Sequence, residues 1–269
     1  MEKKKVLFIF PEITPYLPES EKSNLGRYLP QGIQERGKEI RTFMPRYGTV
    51  NERRNQLHEV IRLSGMNMVI NDTDHPLIIK VASIQAARMQ VYFIDNEDYF
   101  HRKAVLADKE GKPFEDNDER AIFFARGVLE TVIKLRWAPD LVHCHGWFGA
   151  LTPILIKKTF ADDPLFTNSK VVYSVYNDDF EPNLNDQLSE KMLSEEISKA
   201  DVELIKEPSF VNLNKLAIEY SDGIIIGSKD INEDVRKAIK ASGKPVLEYQ
   251  EGETYIDAYN EFYDQVLGE

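Results

Sequence analysis

The sequence is poor in cysteine, in basic charge and in long apolar runs. Of its 269 residues one is a cysteine, Cys144, so no disulfide can form within the chain and a reducing compartment is expected. Lys and Arg number 34 against 45 Asp and Glu, for a net charge of −11. A nucleic-acid groove wants a basic footprint, so no nucleic-acid partner is expected. No apolar stretch approaches the roughly 20 residues of a membrane helix, which sets membrane spans aside. The N-terminus, Met1-Glu2-Lys3-Lys4-Lys5, is basic, but the apolar run behind it stops at Pro11, too short for a secretory signal. The cytoplasm is the expected location. Repeats and low-complexity segments are absent too. With 42% hydrophobic and 29% charged residues, the chain can build an ordinary globular core.

What is present is an alternation of strands and helices. Residues 5–10 form a near-continuous apolar run ended by Pro11, the pattern of a buried parallel strand. A helix is expected over 24–36, with Gly37 at its C-terminal end, then a strand over 39–43 ended by Pro45. That is a βαβ unit. Residues 57–90 change character: strand-like runs at 58–63, 77–82 and 89–94, with turn chemistry at Asn71-Asp72-Thr73-Asp74, predict a β-hairpin insertion leading back into the main sheet. The alternation resumes with a helix over 118–136 capped by Asp116 or Asn117, a strand over 140–145, a helix over 147–158 and a strand over 170–175. A surface helix is expected near 188–198 and another helix over 213–220. A short strand over 223–227, a helix over 231–241 and a strand over 245–248 follow. Residues 253–269 close the chain as an amphipathic helix expected to pack back on a single domain, 1–269. The fold class is α/β: one Rossmann-like, doubly wound, mostly parallel sheet.

Ligands of such sheets sit at the carboxyl ends of the strands. The candidate cleft residues therefore include Glu12, His143, His145, Tyr176, Asn177 and Ser228. The loop after the first strand holds Pro11, Pro15 and Pro18 with Glu12 and Glu19, where a phosphate cradle would need glycines and free N–H groups. Strand alternation puts His143 and His145 on one face and Cys144 on the other. The remaining histidines, His58, His75 and His101, lie far off in sequence, so no metal site is expected. The expectation is one histidine bonded within the fold, the other lining the cleft, and Cys144 a small buried hydrophobe. Trp147, at a strand end, suits either sugar stacking or core packing. Asp95 and Asn96 open an acidic and aromatic stretch that suits a sugar site or a solvated turn. Asp116 and Asn117 precede a helix, where the dipole accounts for acids. No nucleophile elbow is present.

Several motifs resemble one family in their order and spacing: Glu12-Ile13-Thr14-Pro15-Tyr16, Met44-Pro45-Arg46-Tyr47, Tyr92 to Asn96 with Tyr99, Phe100 and Arg102, Asp116-Asn117 with Arg120 and Phe124, Pro139 to His145, and Tyr220-Ser221-Asp222 with Ser228. The chain resembles the N-terminal domain of bacterial glycogen synthases and plant starch synthases, glycosyltransferase family 5. The resemblance implies one half of a GT-B fold and, for the intact enzyme, transfer of glucose from ADP-glucose to an α-1,4-glucan. It makes ADP-glucose a possible substrate, implies no cofactor, and suggests an α-glucan or a glycogen-metabolism protein as partner. It also implies substitutions. The family's diphosphate lysine falls at Pro18, its loop aspartate at Asn24, an active-site carboxylate at Gly146 and an active-site histidine at Tyr176. The donor-binding C-terminal domain of the family is not expected within these 269 residues. No catalytic residue is assigned. Asp95, Asn96, Asp116, Asn117, Asn24 and Trp147 join the candidate glucan-binding residues. Three readings follow: a weakly active synthase-like glucosyltransferase, a non-catalytic glucan- or partner-binding regulator, and an unrelated small-ligand α/β protein.

Overall fold

Val6 to Ile9 carry no polar side chain and are fully buried, so β1 (Lys5–Ile9) can only lie inside a sheet covered on both faces. The computed structural model describes residues 2–252 and 254–269; Met1 and Glu253, which open the expected single domain and the expected terminal segment, lie outside the described residues. α1 (Glu21–Glu35) begins earlier than the apolar spacing suggests. Ser20 caps it: its hydroxyl accepts the Ser23 N–H at 2.9 Å, and its own N–H is taken by Ser23 Oγ at 2.8 Å. Gly37, at φ +93°, turns the chain into β2 (Glu39–Pro45), which pairs in parallel with β1.

The hairpin region is built from β3 (His58–Glu59), β4 (Met66–Ile70), β5 (Thr73–Ile84) and β6 (Met89–Asp95). The strand expected over 58–63 shrinks to two residues because Val60 starts a turn, its carbonyl accepting from Leu63 and Ser64. β4, which the sequence patterning does not announce, pairs with β5 across Asn71 and Asp72, both at positive φ. This is the left-handed turn that Asn and Asp tolerate best.

α2 (Glu97–Phe100) and α3 (Asn117–Lys134) follow, then β7 (Leu141–His145). The helix expected over 147–158 is a single 3₁₀ turn at Trp147–Gly149 followed by α4 (Thr152–Lys157), with Pro153 in its first turn. After β8 (Lys170–Val175), the helix expected over 188–198 ends early as α5 (Leu188–Lys191). Beyond it the Ser194 hydroxyl takes the N–H groups of Glu196 and Ile197, which favours a turn. α6 (Phe210–Glu219) starts before the expected 213, because Ser209 caps it. β9 (Gly223–Ile226), α7 (Glu233–Ser242), β10 (Val246–Leu247) and α8 (Tyr255–Leu267) complete the chain. Among the described residues no helix is long and apolar enough to cross a membrane.

The sheet order is β10-β9-β8-β7-β1-β2-β6-β5-β3, with β4 paired to β5. From β10 to β6 every neighbour is parallel; β5 and β3 run antiparallel. This is the doubly wound, mostly parallel α/β sheet. Chain order reverses between β1 and β7, so the crevice outside their carboxyl ends is the place where such folds bind ligands. α8 lies against α1 and the start of β9. A Cβ on Gly32 would fall 2.6 Å from Ile256, and one on Gly223 would fall 2.8 Å from Val266. Arg36–Asp257 and Lys38–Asp264 ion pairs, at 2.5 and 2.7 Å, flank that contact.

Candidate functional site

At the switch point, alternation along β7 puts the rings of His143 and His145 side by side, with centroids 3.7 Å apart. His143 is held at both nitrogens, by Tyr263 Oη of α8 at 2.6 Å and Ser174 Oγ of β8 at 2.7 Å. His145 Nδ1 meets Tyr176 Oη at 2.7 Å, and Phe10 stacks on the ring at a centroid distance of 3.6 Å. Its Nε2 has no partner among the described residues. Both imidazoles are fully buried, and burial holds their pKa values well below the ordinary value; for His145 the neighbouring His143, whenever protonated, and the Lys22 ammonium push the same way. The pair is therefore uncharged at neutral pH. The expected division, one histidine bonded and the other lining the cleft, gives way to two interior histidines, because Phe10 and Tyr176 close over His145. Cys144 faces the other side, buried, with its thiol pKa pushed up by burial, which suppresses the reactive thiolate.

β7 is followed by Gly146, at φ +67°. The space beside it is taken: an added Cβ would lie 2.7 Å from Asp178 Oδ2 and 3.3 Å from Lys22 Nζ. These two side chains pair at 2.6 Å, and the ammonium also lies 4.9 Å from the centre of the Tyr176 ring. Tyr176 in turn covers Gly227, where a Cβ would fall 2.6 Å from the ring. The Asn177 N–H donates to Ser228 Oγ at 3.1 Å. The structure thus gathers His143, His145, Tyr176, Asn177 and Ser228 at one point. It adds Lys22 and Asp178, whose pairing spans 156 residues and leaves no local mark in the sequence.

The other expected residues separate. Glu12 accepts from the Ser20 hydroxyl, so the acid is spent on the capped start of α1. Trp147 is buried, packed edge-on against Phe148 and Phe180 at 5.3 and 4.8 Å. With Asn117 it borders a cavity of only about 70 Å³. Asp95 lies on β6, separated from β7 by β1 and β2, and pairs with Arg46 and Lys80 at 3.0 Å each. Asn96 caps α2 and donates to the Pro76 carbonyl at 3.0 Å. Asp116 pairs with Arg102, and Asn117 ties the Leu106 carbonyl to Arg120. These four hold the fold together and stand outside the switch-point cluster. Asn24 borders a separate cavity between α1 and α8.

A family model described as the starch synthase catalytic domain matches residues 5–247. The chain belongs to that family. This overturns the reading as an unrelated small-ligand α/β protein. Similar proteins include a glycogen synthase of Chlorobium luteolum, 35% identical over 226 residues, covering 84% of this chain and 46% of that protein. A glycogen synthase of Chlorobium limicola is 36% identical over 219 residues, with 81% and 44% covered. The chain spans about half the length of the curated relatives it matches. Among solved structures, the catalytic domain of Starch Synthase IV from Arabidopsis thaliana, bound to ADP and acarbose, superposes with a TM-score of 0.74 at 15% identity, covering 93% of this chain and 52% of that one. At that identity the likeness concerns the fold, and it places the starch synthase family sheet beside the one described above.

Proposed function

We propose that this starch synthase family chain serves α-glucan metabolism by binding glucan, and that by itself it does not transfer glucose from ADP-glucose. The observation that carries the reading is the Lys22–Asp178 pair. It occupies the space into which a side chain at Gly146 would project, the position where the family resemblance calls for an active-site carboxylate. The surroundings agree with it. A departing diphosphate needs preorganised donors, and their loss typically costs factors of 10² or more. Here the N-terminus of α1 is already capped by its own serines and ringed by Glu12, Glu19 and Glu21, which repel phosphate. Tyr176, in place of the family's histidine, is sealed against His145 and Gly227.

Radiolabelled ADP-glucose and glycogen test the proposal directly. The expected outcome is no incorporation above a protein-free blank, together with retardation of the chain in a glycogen-containing gel. Incorporation at the rate of a full-length synthase would falsify it.

A further inference from the structure

A cavity of about 350 Å³, lined by Tyr28, Tyr249, Tyr255 and Tyr259, opens on the same edge of the sheet as the filled switch point. A larger one, of about 450 Å³, lies at the opposite edge, around the amino ends of β2 and β6 and the carboxyl end of β5. That volume falls within the range of small-molecule sites, roughly 300–1,000 Å³. It has no share in the switch-point crevice, which opens at the carboxyl ends of the parallel strands.

The charged groups of this wall are dominated by two arginines on separate segments. Arg41, on β2, lies over the rings of Tyr92 and Trp137, 5.7 and 5.2 Å from their centroids, and its Nη1 donates to Tyr92 Oη at 2.7 Å. The guanidinium is thus held in place, yet its buried Nε has no hydrogen-bond partner among the described residues. Arg88 sits in the turn between β5 and β6 at φ +50°, a conformation that Gly or Asn adopts more readily. The turn by itself therefore does not call for an arginine. Acids outnumber bases in the chain, and Arg36, Arg46 and Arg102 each pair with a carboxylate. Arg41 and Arg88 pair with none among the described residues, although both border one cavity. Glu39, also in the wall, turns its Oε1 to the indole N–H of Trp137 at 2.5 Å.

Two cations facing a shared space call for an anion. The devices that favour phosphate are missing: among the described residues the wall holds no lysine and no glycine. The long helix at its border, α1, presents its C-terminal end at Gln34, where the dipole is negative. A phosphate dianion would concentrate its charge against that end and against Glu39. Two carboxylates divide the same charge, one to each planar guanidinium fork. Ile40, Ile84 and Met89 make the rest of the wall partly apolar, which suits a methylene chain. We propose that this cavity binds a short aliphatic dicarboxylate, with one carboxylate on Arg41 and the other on Arg88. Such a site stands apart from the glucan-binding reading above and opens at the other end of the strands.

Calorimetric titration of the full chain with succinate and glutarate provides the test, with acetate and inorganic phosphate alongside. Saturable binding of a dicarboxylate is expected, at least about tenfold tighter than acetate, since the second carboxylate adds a charge-assisted contact. Arg88→Gly relieves the left-handed turn, so the variant is expected to fold, and it should weaken the dicarboxylate about tenfold or more. Arg41→Lys keeps the charge but not the planar fork, and a loss of about the same factor is expected. Glu39→Gln removes the competing acid while keeping an acceptor for Trp137, and should tighten binding about twofold or more. Tyr28→Ala, in the other cavity, should leave it within about twofold. Dicarboxylate binding that survives Arg88→Gly unchanged, acetate binding as tight as succinate, or no saturable binding of either dicarboxylate overturns the proposal. Phosphate that binds more tightly than both dicarboxylates and is lost in Arg88→Gly overturns the ligand class.

Discussion

Two places on one edge of the sheet differ in how they treat their polar groups. At the switch point, His143, His145, Tyr176, Lys22 and Asp178 bond largely to one another, and the space is filled by the chain's own side chains. In the neighbouring tyrosine cavity the Asn24 amide makes no hydrogen bond among the described residues, and the room stays open. The fold marks the switch point as the natural ligand crevice, yet the side chains there are paired mainly within the chain, with His145 Nε2 and Asp178 Oδ1 the buried exceptions among the described residues. Topology selects where a ligand can bind; local side-chain satisfaction decides whether one is needed.

The sharpest way to break that contrast is to put the missing carboxylate back. Gly146→Asp forces a non-glycine residue to φ +67° and sets an acid against Asp178. About 2–4 kcal/mol of destabilisation is expected from backbone strain and buried like charge. In urea titrations, adding Asp178→Ala should restore part of it; a neutral Gly146→Asp would show that the switch point is not filled. Next comes acid. The folded-state pKa values of both histidines are depressed, so below about pH 6.5 the unfolded chain binds protons that the folded chain refuses. Their contribution is complete above that pH and is lost as pH falls through it, at up to about 1.4 kcal/mol per pH unit for each histidine. Melting temperature should drop between pH 7 and 5, and His145→Phe should make that drop shallower.

A smaller effect is expected from Tyr263→Phe, which strips His143 Nδ1 of its partner from α8 and should cost about 1–2 kcal/mol in denaturant midpoint. Least of all, Tyr28→Ala at the rim of the open cavity should change stability by less than about 0.5 kcal/mol, since the ring is half exposed. A larger loss there would mean that the cavity is held together like the switch point, and the contrast would dissolve.

Much of the fold was legible because buried parallel strands are written as continuous apolar runs. β1, β8 and β9 could be read from such runs, and in β7, where two histidines interrupt the run, their placement on one face followed from period-two alternation. β3 was legible only in place, its expected span 58–63 shrinking to His58–Glu59, and β4 was not legible, because it depends on two consecutive left-handed residues. α1 hid its true start because its capping box uses serine at both positions, where the familiar signal ends in Glu or Gln. At the site, Lys22–Asp178 and His143–Tyr263 join residues 156 and 120 positions apart, so only the folded chain brings them together. The acids Asp95 and Asp116 attracted attention by composition, but they are matched by cations from neighbouring segments and hold loops in place.

The margins of the sheet have a consequence for partners. One border is the two-residue β10, and the other is the two-residue β3. The long β5 is shielded on its outer side by β4 over Thr73–Leu77 and by β3 at Lys80 and Val81. Among the described residues the unpaired strand edges are short: two residues on β10, two on β3 and five on β4 (Met66–Ile70), which pairs only with β5. Sheet extension by another chain, whether as assembly or as aggregation, therefore has a template of five residues at most and would start at β4.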